Sequence, residues 1–432
     1  MSLDLIEVKL WGKTVGAIQW DNHERIANFN YDDEFIASGL EVSPFMAPLD
    51  ERIYRGRREE AFAGLPEFIA DSLPDKFGNA IITAYFDKKG ITVPNMTPLD
   101  KLAYIGERAM GALTYDPMID HMDKQELDAI NLSELVSAAR QAISGNLHKN
   151  DKQSEEALNK MLSVGISAGG ARAKAVINYN PETGEMKSGQ FPAEEGYEPW
   201  LIKFDGVGKD NALGTSENYG RIEYAYYLMA SDAGVDMSQC QLLEENGRAH
   251  FMTKRFDRTG KDSIHMQSFC AMKGLDFNMN NLHSYEQYFH TVQTLTEDAS
   301  QLEQAIRRCF LNIAARNQDD HTKNFSFLMN KQGEWSIAPA FDVIYAFNPN
   351  DGWTSAHQMS VNGKFKGISA TDLITATSDF LSHSEAVKIL EEVLGTVDKW
   401  MSYADRAGLS GKHASLIQEN HRSNKFGKKF NY

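Results

Sequence analysis

The sequence predicts an α/β chain, more closely α+β, built as two lobes: a β-rich N-terminal half with an extra module, and a mainly helical C-terminal lobe. Three observations predict it. Residues 163–258 alternate strand and turn signals around one helical stretch. Beyond Arg258 apolar residues recur at helical spacing, as in Leu302, Ala305, Ile306, Cys309, Phe310, Ile313 and Ala314. A length of 432 residues, at roughly 150 residues per domain, gives two or three domains. The expected division is an N-terminal module over 1–150, a β-rich unit over 151–258 and a helical lobe over 259–432.

In chain order, residues 4–20 alternate apolar and polar positions and read as a hairpin turning at Gly12-Lys13. Residues 60–150 are mixed and mostly helical, interrupted at Leu73-Pro74-Asp75 and Asp116-Pro117, where proline breaks the pattern. The polar stretch Gly145 to Lys160 reads as a surface connection between modules. Ser163 to Ser167 is a short strand and Ala168-Gly169-Gly170-Ala171 a small-residue turn. Lys174 to Asn178 is rich in β formers, Asn180 to Gly184 is a turn, and Trp200 to Phe204 is a strand carrying Lys203. Ile222 to Ala233 is a helix that Gly234 closes. Two strands, Cys240 to Leu243 and Ala249 to Lys254, flank Asn246-Gly247, the strongest short-range hairpin signal. Further on, Phe325 to Met329 and Trp335 to Ala338 flank a second turn, Asn330 to Gly333.

Composition limits the function. Charged residues at 24% and hydrophobic residues at 42% exclude a disordered chain, a collagen and a coiled-coil rod. The balance of 44 basic and 60 acidic residues gives −16, a field that repels bare nucleic acid, because phosphate binding needs cations. No apolar run reaches the ~18 residues of a membrane span, and the N-terminus lacks a signal pattern, so a cytoplasmic protein is expected. Three widely spaced cysteines, Cys240, Cys270 and Cys309, fit a reducing compartment and no zinc or disulfide framework.

Several residues together suggest phosphoryl transfer. Such chemistry needs a carboxylate near the accepting hydroxyl and oxygen ligands for Mg²⁺. Asp319 and Asn324 are five residues apart, the separation of those two roles in Asp-x-x-x-x-Asn; alone, such residues at a helix end are more often caps than ligands. The hairpin after Asn324 leads back to Pro339-Ala340-Phe341-Asp342, which brings Asp342 beside Asn324. Lys203, within an apolar strand, either snorkels to solvent or holds phosphates, with Glu223 on the following helix as its ion-pair partner. The Ser167-Ala168-Gly169-Gly170 turn would let backbone N–H groups approach phosphate oxygens. Met252 to Arg258 joins the two lobes, on its own a plain linker, in context a hinge whose backbone could bind adenine. A competing reading, metal-dependent hydrolysis, would use Asp319-Asp320-His321 or His283, Glu286 and His290, but these two histidines stand seven apart, not four.

In order, these residues resemble the HipA family of bacterial serine/threonine kinase toxins over nearly the whole chain. The resemblance rests on Tyr104-Ile105-Gly106-Glu107-Arg108 with Gly111-Ala112-Leu113, Ile166 to Ala171 with Lys174, Ile202-Lys203, Glu223-Tyr224, Arg255-Phe256-Asp257-Arg258, Asp319 to Ser326, and Pro339-Ala340-Phe341-Asp342. It implies a two-lobed protein-kinase-like fold. It implies Asp319 as catalytic aspartate and Asn324 and Asp342 as Mg²⁺ ligands. ATP would meet Ser167, Ala168, Gly169 and Gly170, the Lys203 side chain, the backbones of Lys254 and Phe256, and the neighbourhood of Asp257 and His321. Ser167 matches the family's autophosphorylated serine, an off-switch. The partners implied are a HipB-like helix-turn-helix antitoxin, which would make most of the DNA contact, and a protein substrate such as a translation factor or aminoacyl-tRNA synthetase; no membrane is implied. The sequence departs from a well-known member at Asp320, a small residue there, and at Lys254, a glutamate there. Asp320 is expected to add negative charge at the site. The basic tail from Arg422 to Lys429 is either a solvated terminus or a DNA contact. Two other readings are a small-molecule phosphotransferase and a catalytically idle corepressor partner of the antitoxin.

Overall fold

The structure, a computed structural model, describes residues 3–74, 76–91, 96–119, 129–144, 147, 151–164, 172–207 and 218–421. The chain opens with β1 (Leu5–Leu10) and β2 (Lys13–Asp21), paired antiparallel. Ile6, Val8 and Leu10 are buried at every second position, the period of a half-buried strand. The turn residues are Trp11 and Gly12, at φ 50° and 78°, one position before the expected Gly12-Lys13. Two positive φ values match the twist of the flanking strands. β3 (Ile26–Tyr31), β4 (Tyr54–Arg55) and β5 (Leu113–Asp116) complete a sheet of order β4-β3-β2-β1-β5. Around it lie α1 (Asp33–Ser38), α2 (Glu67–Ala70), α3 (Lys76–Lys88) and α4 (Pro98–Ile105), and α5 (Leu132–Ile143) packs on α3. α4 starts on a reciprocal cap, Thr97 with Asp100, and a proline in its first turn.

The stretch expected to be a polar connection is helical from Lys152: α6 runs Lys152–Val164. Its Ala157, Leu158, Met161 and Leu162 form a narrow buried stripe against α5 and α3, while the charged residues face outward. Average polarity hid that stripe. Ser163 and Val164 end this helix rather than begin a strand.

A second sheet, of order β7-β6-β8-β10-β9, follows in β6 (Lys174–Tyr179), β7 (Met186–Ser188), β8 (Glu198–Lys203), β9 (Cys240–Glu245) and β10 (Arg248–Lys254). α7 (Tyr219–Asp232) crosses it. Gly220 sits so close to β10 that a Cβ there would lie 1.9 Å from the Ala249 carbonyl oxygen. The Asn246-Gly247 turn has φ 47° and 77°, as its sequence predicts.

After the short pair β11 (Arg258–Thr259) and β12 (Asp262–Ser263) the lobe is mainly helical. β13 (His265–Ser268), α8 (Phe269–Lys273), β14 (His283–Ser284), α9 (Tyr285–Thr296) and α10 (Ala299–Ala314) precede the hairpin β15 (Ser326–Met329) and β16 (Trp335–Ile337), which joins β13 in one sheet. β17 (Met359–Ser360) pairs with β14, and α11 (Ala370–Ala376), α12 (His383–Val397), α13 (Trp400–Arg406) and α14 (Gly411–Asn420) finish the lobe. No helix among the described residues is long and apolar enough to cross a membrane.

One apolar core runs from the first sheet into the second, and another fills the helical lobe. The first module is also latched to the end of the hinge and to the segment after it. Asp257 accepts from the Gly111 amide at 2.8 Å, and Arg258 donates to the carbonyls of Gly111 and Ala109 at 2.7 and 2.9 Å. Asp71 accepts from the amide and hydroxyl of Ser268, and Trp11 donates to Ser263 O at 2.8 Å.

Candidate active site

A cleft lies between the second sheet and the helical lobe, and the first module contributes Asp71 and Met110 to its wall. Lys203 ends β8 directly across from Lys174 on β6 and Phe251 on β10. Its ammonium bridges Glu223 of α7 at 2.5 Å and Asp342. Burial works to lower the Lys203 pKa, but the two carboxylates outweigh it and hold it above the ordinary lysine value. Burial likewise works against Asp342, yet Lys203, with Lys174 behind it, holds this carboxyl down at about 2. Burial raises Glu223, against the pull of Lys203. The ion pair expected from sequence is therefore present, widened to three charges.

Asp342 has φ 53°, a left-handed conformation that a non-glycine residue adopts at a cost of roughly 1–2 kcal/mol. Its carbonyl accepts from Asn317, and Ala340, two residues before it, bridges Met237. Strain of this kind concentrates where a side chain must point in one direction.

The loop after α10 carries Asp319 and Asn324. A single 3₁₀ turn, Thr322–Asn324, brings Asn324 back so that its Nδ2 donates to the Asp319 carbonyl at 2.7 Å. That bond commits the nitrogen and leaves the amide oxygen for other partners. Asn324 and Asp342 both line the cleft, and both border a smaller cavity behind it. The hairpin thus returns Asp342 to the cleft that Asn324 lines. The Asp319 side chain is 41% exposed, and Trp353 donates to its Oδ1 at 2.5 Å. Burial raises the Asp319 pKa, against the influence of His321, whose Nε2 is 3.8 Å away. Burial lowers His321, whose ring sits between those of Phe277 and Trp353.

At the hinge, Lys254 points its ammonium to Glu198 at 2.6 Å, and its N–H is bonded to Gln239 O. Phe256 tilts against Phe341, ring centres 5.7 Å apart, on the cleft wall. Asp257 borders the cleft, but its carboxylate is taken by Arg255, Arg258 and Gly111. Ser167, Ala168, Gly169 and Gly170 lie outside the described residues, as does the tail from Arg422.

Asp320 adds the negative charge expected of it from behind the loop, where it works to push the Asp319 and His321 pKa values up. It is buried, and its carboxylate meets Tyr285 Oη at 2.7 Å, His357 Nδ1 at 2.8 Å and Gln358 N at 2.7 Å. It braces the loop from behind. The alternative metal cluster does not form: His283 meets Asp276 O, Glu286 accepts from Asn362 N, and no group of three acidic, histidine or cysteine residues among those described is placed to hold a metal. Sequence reasoning missed Trp353 and Asp71. Trp353 is 34 positions from Asp319 and Asp71 is 197 from Ser268, and neither has a spacing signature. Lys323, which shares the cleft, was legible only as part of a motif.

The donor set suits a hard divalent cation: one amide oxygen and one carboxylate held ionised, beside lysines that suit phosphate. Two family descriptions match the sequence, "HipA-like C-terminal domain" over residues 166–401 and "HipA N-terminal domain" over residues 6–116. Two curated proteins of Sinorhizobium fredii, both provisionally named kinases, are similar. Y4dM is 25% identical over 200 residues, which cover 42% of this chain and 46% of Y4dM. Y4mE is 25% identical over 142 residues, covering 30% of this chain and 32% of Y4mE. The matches thus span less than half the length of these relatives. Among solved structures, HipA in the Shewanella oneidensis MR-1 complex of HipA, HipB and operator DNA superposes with a TM-score of 0.67, covering 98% of this chain and 95% of that one at 14% identity. At that identity the likeness is one of fold.

Proposed function

The chain belongs to the HipA family, and on that premise we propose that it is an ATP- and Mg²⁺-dependent serine/threonine protein kinase, the toxin of a toxin–antitoxin pair. One observation carries the reading: Lys203, clamped between Glu223 and Asp342, faces the same cleft as Asn324, whose loop also carries Asp319. A lysine, two oxygen donors and a carboxylate base are the parts phosphoryl transfer needs.

Lys203 and Lys174 attract the nucleotide's phosphates, and Phe256 and Phe341 wall the cleft where an aromatic base would lie. The Asn324 amide oxygen and Asp342 would hold Mg²⁺, which when bound neutralises charge on the phosphate oxygens. Asp319 accepts the proton of the substrate hydroxyl as its oxygen attacks the γ-phosphorus and the bond to ADP breaks. Its pKa is pushed up from the ordinary aspartate value, which strengthens it as a base. Positioning and charge neutralisation supply most of the acceleration.

Ser167 is the proposed autophosphorylation site; a phosphate there would add roughly −1.5 to −2 charge. A HipB-like antitoxin is the proposed partner, through which the acidic chain would reach DNA, and the protein substrate is proposed to belong to translation. The Shewanella complex, which joins a protein of this fold to HipB and DNA, supports the antitoxin part. Intact-mass measurement before and after Mg²⁺-ATP tests the reading, with Asp319→Asn and Ser167→Ala in parallel. One added phosphate in the parent and none in either variant is the expected result. Phosphate on Ser167→Ala would keep the kinase and remove the switch. No phosphate on unmodified parent that binds ATP would overturn the kinase.

A further inference from the structure

We propose that Trp353 is the positioning residue for Asp319: its indole N–H grips one carboxylate oxygen and fixes the rotamer in which the other is offered to substrate. The catalytic meaning rests on the kinase reading above; the grip itself does not.

The contact is one of a set. The segment 353–358 reaches back to three consecutive residues of the loop after α10. Thr354 O accepts from Gln318 Nε2 at 3.1 Å, Trp353 Nε1 donates to Asp319 Oδ1 at 2.5 Å, and His357 and Gln358 N meet the Asp320 carboxylate at 2.8 and 2.7 Å. Gln358 Nε2 returns to Trp353 O at 2.6 Å and closes the clasp on itself. Tyr285 donates to the same Asp320 oxygen as His357 and accepts from Asn312 at 3.0 Å. Asn312 in turn accepts from Asn317, the residue that donates to the Asp342 carbonyl. One continuous hydrogen-bonded chain therefore runs from the clasp to the backbone of the strained aspartate across the cleft.

Within this frame Asp320 and Trp353 have different tasks. Asp320 is buried and anchors the clasp; Trp353 is partly exposed and is its working end. The Asp319 side chain is half-exposed, so little packing restricts its rotation. Among the described residues no protein group donates to its Oδ2. A short bond from a donor to an ionised acceptor is stronger than a neutral one and directional. The indole also packs edge-on with the His321 ring, ring centres 6.0 Å apart.

Trp353→Phe keeps the ring against His321 and removes only the donor. In the full chain, with the initial rate of phosphate incorporation followed against Mg²⁺-ATP concentration, kcat should fall about 10- to 100-fold, the strength of one hydrogen bond to a charged group, while KM for ATP stays within twofold. A purely structural role would move both together. Independently, in protein labelled with ¹⁵N at its six tryptophans, the indole resonance lost in Trp353→Phe should shift in Asp319→Asn while the other five hold. A kcat within twofold of the parent, or an indole resonance indifferent to Asp319→Asn, overturns the proposal. If the parent transfers no phosphate, the kinase reading falls, and the resonance alone decides whether Trp353 holds Asp319.

Discussion

Replacing Asp257 with alanine should cost this protein a large part of its stability. The carboxylate is fully buried and accepts from Arg255 Nε at 2.9 Å and Nη2 at 2.7 Å, from Arg258 Nη1 at 2.7 Å and from the Gly111 amide at 2.8 Å. Burial pushes its pKa up, but the two guanidiniums more than reverse this and hold it at about 2, against an ordinary 3.8. A folded-state pKa below the unfolded one means the stabilisation is present above pH 3.8 and lost as pH falls through about 2. That gap corresponds to about 2.5 kcal/mol for the charge alone. Asp257→Ala also strands two largely buried guanidiniums and one amide, and breaking such a pair costs about 3–5 kcal/mol. Against a total of about 5–15 kcal/mol, either loss is visible. Urea unfolding at pH 7, followed by tryptophan fluorescence and far-ultraviolet circular dichroism, measures it. The expected order is parent, then Asp257→Asn, then Asp257→Ala, the last lower by about 3–5 kcal/mol. A loss below about 1 kcal/mol would refute the assignment of Asp257 as a buried ionic latch and return it to the nucleotide.

Three further outcomes are expected. Lys203→Met removes the cation between Glu223 and Asp342; titration with a fluorescent ATP analogue should show at least about tenfold weaker binding, the worth of a charge-assisted hydrogen bond, and affinity within twofold of the parent would contradict the cleft assignment. Gly220→Ala distinguishes local preference from packing. Helix propensity predicts a gain of about 1 kcal/mol, whereas a Cβ 1.9 Å from Ala249 O predicts a loss of about 1–3 kcal/mol and weaker nucleotide binding through Glu223; higher thermal stability would refute the close approach. Burial lowers His265 to about 4 from an ordinary 6.5, so it is neutral in the fold while the unfolded chain takes up a proton. Its contribution is complete above pH 6.5 and shrinks as pH falls towards 4, by about 3 kcal/mol in all. His265→Gln should therefore flatten the stability slope between pH 7 and 5, and an unchanged slope would remove His265 as its source.

How much the sequence disclosed depended on the range of the interaction. Asn246-Gly247 and the apolar stripe of 302–314 were legible because turn geometry and helical period are local. The pairing of Lys203 with Glu223 and the approach of Asn324 to Asp342 were legible because one strand-helix step and one hairpin separate the partners. α6 was misread because its polar outer face dominates any average over the stretch, and only the three-and-four spacing of Ala157, Leu158, Met161 and Leu162 shows the buried side. The charge that Asp320 adds to the site was legible, but not its direction: its carboxylate turns inward to Tyr285 and His357. The grip of Trp353 and the latch of Gly111 on Asp257 were invisible because contacts 34 and 146 residues long leave no periodicity.

That last separation bears on how the protein is made. On a ribosome the Gly111 amide and the Ala109 carbonyl emerge well before Asp257 and Arg258, which satisfy them. At about 5–20 residues per second, a gap of 146 residues leaves the nascent first module roughly 7–30 s with that edge unfinished. Asp71, waiting for Ser268, is kept longer still. The module's own sheet can close as soon as β5 is made, but its docking face matures only when the hinge has been translated. Synonymous codons that slow elongation between residues 117 and 257 should lengthen this exposed interval and lower soluble yield without altering a single side chain.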